Sequence, residues 1–161
     1  MIIGQAPWFD TYESAETMLI SSISTARRSI HLFASLNDPA LFNSRACIAS
    51  CSRFARSSSV ARMKILIEDH KLFTARNPAL LALAQRLTGR IQIRTVSSDK
   101  PFASDCYLVG DHRSVWYMPD TGNLSGFYEE DNRVRAQKLT NQFLYTWERS
   151  RSPVDFRHLA F

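Results

Sequence analysis

The chain has 161 residues, 45% hydrophobic and 22% charged, which excludes a disordered or fibrous protein and suits one domain with a sizeable core. Its 20 basic and 15 acidic residues give a net charge of +5. No run of about 18 apolar residues occurs and no basic stretch leads into an apolar one at the N-terminus, so neither a membrane-spanning helix nor a signal peptide is predicted, and a cytoplasmic location is expected.

Only Lys64, Lys71, Lys100 and Lys138 are lysine, so 16 of the 20 bases are arginine, whose planar fork suits carboxylates and phosphates. A pI near 9.4 is one footprint of nucleic-acid binding. The bases are spread along the sequence, which predicts a mildly basic surface. Cys47, Cys51 and Cys106, with the four histidines, have no zinc-ligand spacing. They are expected to be free buried thiols, and no metal or cofactor is expected.

Asp10-Thr11-Tyr12-Glu13 reads as a capping box with Trp8 or Phe9 stapling the first turn. Ala15, Met18, Leu19, Ile23 and Ala26 continue it as a helix ending near Arg27-Arg28. Residues 29–36 read as a mostly buried strand. Asn37-Asp38-Pro39 opens a second helix through Phe54, closed by the serines at 57–59. Met63 to Ile67 is a short buried strand, with Asp69-His70-Lys71 as a turn after it. Asn77-Pro78 opens a third helix that Gly89 is placed to end. Arg90 to Val96 alternates with period two, a strand with one wet side. Cys106 to Val109 and Ser114 to Met118 form a hairpin across Gly110-Asp111-His112-Arg113. Phe127-Tyr128 is a short sixth strand, and Asp131 caps a last helix bearing Val134, Leu139, Phe143 and Trp147. The tail ends in the apolar Leu159-Ala160-Phe161, suited to a partner subunit. The order is α-β-α-β-α-β-β-β-α. It predicts a single α/β domain over residues 1–161, with a mixed central sheet flanked by helices on both faces.

Four stretches carry a resemblance. They are Ala26-Arg27-Arg28-Ser29-Ile30-His31-Leu32 with Leu36-Asn37-Asp38, Val60 to Glu68, Ser104 to Asp111, and Phe143 to Trp147 with Glu148. In this order they resemble the phospholipase D-like superfamily of nucleases and phospholipases, over roughly residues 11–149. The family motif is His-x-Lys-x-x-x-x-Asp: the histidine attacks phosphorus, the lysine neutralises phosphate oxygens and the aspartate braces the site. Its positions fall on Ser104, Cys106 and Asp111. Met118-Pro119-Asp120-Thr121 does not match the family's Gly-Ser-x-Asn segment, and Glu129 or Glu130 stands where a histidine-orienting glutamate is often found. The chain thus resembles a degenerate bacterial member lacking the catalytic histidine and lysine. Without nucleophile and cation the family's chemistry is not expected.

The resemblance implies a homodimer and a non-catalytic domain that binds nucleic acid or another phosphorylated ligand. His70, Lys71, Asp111, Arg113 and Glu129 are the candidate ligand residues. His70 and Lys71 end a buried strand, where α/β folds place ligand groups. Each also has a plain structural reading as a solvated turn, a hairpin turn or an acidic first turn. A hydrolase with rearranged residues, using Ser104 or Cys106 with His70 or His112, and a structural domain that works beside an enzyme are the alternatives.

Overall fold

The computed structural model describes residues 8–35, 40–97, 105–121 and 123–150. Among them a seven-stranded sheet forms the centre. In chain order the elements are β1 Trp8–Phe9, α1 Tyr12–Thr25, β2 Ser29–Ala34, a 3-10 turn Leu41–Asn43, α2 Arg45–Arg56, β3 Arg62–Ile67, α3 His70–Arg76, α4 Pro78–Arg86, β4 Ile91–Thr95, β5 Cys106–Gly110, β6 Ser114–Met118, β7 Gly126–Glu129 and α5 Arg133–Glu148. The sheet runs β1-β7-β6-β5-β2-β3-β4. The β2-β3-β4 half is parallel and the rest antiparallel. The expected mixed sheet with helices on both faces is therefore the observed architecture.

Strand alternation sorts the core into two layers. Ile30, Leu32, Met63, Ile65, Ile67, Cys106, Leu108 and Trp116 point to one face, under α1, α2 and α4. Phe33, Leu66, Tyr107, Val109 and Val115 point to the other, under Leu139, Phe143 and Trp147 of α5. Trp116 is fully buried, stacks on Phe9 at 5.1 Å and donates its indole N–H to the Ala15 carbonyl at 3.1 Å.

Several local expectations shift. Thr11, not Asp10, caps α1, with Ser14 returning the bond in place of Glu13. α1 stops at Thr25, two residues before the arginine pair. The second helical segment is broken: after the 3-10 turn, Ser44 accepts from the Cys47 amide at 3.1 Å and starts α2. The expected cap at Asp38-Pro39 and the apolar tail lie outside the described residues. The turn expected at Asp69-His70-Lys71 is the start of α3, because the Asp69 carboxylate accepts from the Leu72 amide at 3.0 Å. Asn132, not Asp131, caps α5. Trp8 and Phe9, read as a staple, pair with β7 as an extra edge strand. Among the described residues no helix is long and apolar enough to cross a membrane.

Candidate functional site

The parallel strands give the sheet two distinct ends. At the exit end, β2 and β3 finish and β5 begins. There Cys106 is fully buried, and its Sγ lies 2.9 Å from the Ser35 hydroxyl, itself buried. A cavity of only about 10 Å³, room for about one water, is lined by Ala34, Ser35, Glu68, Asp69, Leu72, Phe73 and Arg76. His70 and Lys71 stand nearby in the first turn of α3, half-buried and exposed respectively. The Asp105 carboxylate accepts from the Tyr117 hydroxyl and from the Asp120 amide. Burial and the neighbouring carboxylate together push the Tyr117 phenol above its ordinary range, so it stays a donor. Ser104 lies outside the described residues.

At the entry end, where the parallel strands start, sits the β5–β6 turn. Asp111 and His112 have φ of 53° and 55°, a left-handed region that Asn, Asp and His enter more readily than most residues. The Arg113 amide closes the turn on the Gly110 carbonyl at 2.9 Å. The Asp111 carboxylate is fully engaged by backbone. Oδ2 accepts from the Arg27 amide at 2.8 Å, and Oδ1 accepts from Arg28 at 2.7 Å and Ser29 at 3.1 Å. It thus ties the hairpin to the α1–β2 junction, just past the C-cap Ala26.

Arg113 pairs with Asp131 at 3.3 Å, and Glu129 with Arg135 at 2.9 Å. Open grooves of about 410 and 380 Å³ flank the turn; Glu130 and Asp131 line the first, His112, Arg133 and Gln137 the second. The candidate residues are therefore not brought together. His70, Lys71 and Cys106 stand at one end, Asp111, Arg113 and Glu129 at the other, separated by the five residues of β5, about 17 Å of strand.

His31 was missed, although a lone histidine within Ile30-His31-Leu32-Phe33 was a signal. It is 6% exposed, its Nδ1 has no hydrogen-bond partner among the described residues, and it packs 5.0 Å from the Phe143 ring and 5.6 Å from His112. Burial, reinforced by His112 and Lys64, pulls its pKa from 6.5 to about 4. The folded state thus holds a neutral imidazole while the unfolded chain takes up a proton below about 6.5. Stability is therefore expected to fall as pH drops from 6.5 to 4 and to level off below, by about 3 kcal/mol at most. Urea unfolding across that window checks it, and His31→Phe is expected to flatten the slope there.

Among the described residues no group of three or more His, Cys, Asp or Glu is placed to hold a metal ion. No curated protein sequence matches the chain. Solved structures do, 53 chains in all. Nuc of Salmonella typhimurium, a phospholipase D family member, matches with TM-score 0.66 and 18% identity over 92% of this chain and 95% of that one. NucT of Helicobacter pylori gives 0.59 and 14% over 90% and 96%. TrmBL2, an archaeal chromatin protein with a novel mode of DNA binding, gives 0.64 and 14% over 90% of this chain, which spans about half (53%) of that protein. The fold is thus that of the phospholipase D family. By sequence, residues 11–159 match a family model, and the chain belongs to the family described as a domain of unknown function, DUF7931.

Proposed function

We propose that this is a nuclease-fold domain that binds a phosphate-bearing polymer, nucleic acid, without cutting it. One observation carries the non-catalytic half of the reading. Cys106, where the resemblance puts the family's lysine, is fully buried against Ser35 beside a cavity of about 10 Å³. A phosphodiester does not fit such a space, and among the described residues position 106 carries a thiol where the family's lysine would supply an ammonium to stabilise a developing charge. The arginine-dominated excess of base, on the fold of a protein family that includes nucleases, supports the binding half.

The test has two arms. Hydrolysis of bis(p-nitrophenyl) phosphate and of labelled DNA is expected to stay at the uncatalysed rate, with and without divalent metal. Binding to DNA measured by fluorescence anisotropy is expected to weaken steeply with salt, as phosphate contacts release counterions. Turnover abolished by Cys106→Ala or Ser104→Ala would instead establish the rearranged hydrolase. Absence of salt-dependent binding would leave only a structural role.

A further inference from the structure

We propose that the nucleic-acid surface is the entry end of the sheet, opposite the narrow crevice at Ser35, and that its partner is the phosphate backbone of a double-stranded nucleic acid. This rests on the reading above and assigns its surface.

The topology gathers the charge. Each parallel strand starts at the entry end, and each helix leading into one finishes there. Arg27 and Arg28 lead into β2, Arg62 opens β3 and Arg90 precedes β4. Arg53 and Arg56 close α2, and Arg86 closes α4. Six of these seven are exposed and Arg90 is half-buried. The ion pairs among the described residues involve Arg113, Arg133 and Arg135, and none of the seven.

Several are nevertheless held. Arg90 Nη1 donates to the carbonyls of Ala55 at 2.6 Å and Ser58 at 2.9 Å. Arg62 Nη1 donates to Ser59 and Ala61 at 2.8 Å, and Arg27 Nη1 to Ser24 at 3.2 Å. Neutral carbonyls orient a guanidinium without cancelling its charge. The pairing acids of this end, Glu129 and Asp131, lie on the β7–α5 side and occupy the other arginines.

The exit end has the opposite character. Glu68, Asp69, Asp105 and Asp120 surround it, the first turns of α1 add Glu13 and Glu16, and among the described residues these acids outnumber the bases there, Arg45, Lys71 and Arg76. A polyanion is attracted to one end and repelled by the other.

The choice of duplex follows from what accompanies the arginines. Proteins that hold single strands stack bases on aromatic rings. Among the described residues the exposed Tyr and Trp rings are Trp8, Tyr12 and Tyr145, none at the entry end, where His112 is a single exposed imidazole. Guanidiniums among small residues such as Ser58, Ser59 and Gly89 suit phosphates, which carry no sequence information.

The experiment compares a short DNA duplex and its single strand on three proteins. They are the wild type, R27A/R28A/R56A/R86A, and R45A/K71A at the exit end as a charge-removal control, with circular dichroism and thermal melting to confirm folding. The quadruple variant is expected to lose at least about 30-fold in duplex affinity near 0.1 M salt, and its slope of log K against log salt to fall by about three to four. The control is expected to stay within about twofold. A wild type that binds neither DNA overturns the binding reading itself. Wild-type preference for the single strand overturns the partner. A folded quadruple variant that binds like the wild type, or a control that loses as much, overturns the location while leaving binding intact. A quadruple variant that fails to melt cooperatively is replaced by R28A/R56A/R86A, whose three side chains make no hydrogen bond among the described residues, judged by the same outcomes.

Discussion

Placing at position 106 the lysine that the resemblance puts there, Cys106→Lys, is expected to abolish folding or cost more than about 5 kcal/mol, without creating activity. The site has no exposure, and the adjoining cavity measures about 10 Å³. A lysine adds three heavy atoms there, and overpacking alone costs about 1–3 kcal/mol. It also buries an ammonium, which in apolar surroundings adds several kcal/mol or forces the amine to lose its proton. Glu68 and Asp69 line the cavity, so a partial rescue by a carboxylate is the competing outcome. Asp69, however, already caps α3 through the Leu72 amide. Urea unfolding monitored by circular dichroism decides. A soluble variant within about 1 kcal/mol of wild type would show the exit end to be an accommodating pocket, and the non-catalytic reading would lose its support. Cys106→Ala, which removes the thiol's volume and its contact with the Ser35 hydroxyl but buries no charge, is expected to cost about 1–2 kcal/mol and serves as the uncharged control.

Asp111→Ala is expected to cost about 4 kcal/mol. The carboxylate satisfies three amides of the α1–β2 junction, and a hydrogen bond to a charged acceptor is worth about 1.5–3 kcal/mol. The three are not additive, since the junction is partly exposed and water replaces some of the loss. Alanine at φ 53° adds strain of about 1 kcal/mol. Asp111→Asn keeps one acceptor oxygen and tolerates the backbone, so about half the loss is expected. Asp111→Gly relieves strain but loses every bond. The ordering Asn, then Gly, then Ala, measured by urea unfolding, separates bracing from backbone strain. A ligand-binding aspartate would instead leave stability near wild type while weakening binding.

The layered fold was readable because its signals are local. Period-two runs such as Ile91-Gln92-Ile93 and the buried Met63–Ile67 segment mark strands, and Asn77-Pro78 marks a helix start. What failed was also local: Thr11, Ser44, Asp69 and Asn132 each cap a helix one to several residues from where a neighbouring acid, proline or turn signal drew the reading. The choice among adjacent Ser, Thr, Asn and Asp depends on backbone angles that composition does not reveal.

The candidate site was less legible. The resemblance puts Cys106 and Asp111 in one motif, yet a strand carries them to opposite ends of the sheet. The arginines, evenly scattered along the chain, are sorted only when successive crossovers return to the same end. That information lies in the topology, since Arg28, Arg56 and Arg86 are about thirty residues apart in sequence.

Among the described residues the same sorting separates positive from negative charge along the strand axis, as a dipole does. Such a body experiences a torque as it nears a polyanion, so it meets the helix already aligned, and its association rate should fall as ionic strength rises. It would then stand upright on the nucleic acid, with Lys71 and the narrow crevice beneath α3 facing away.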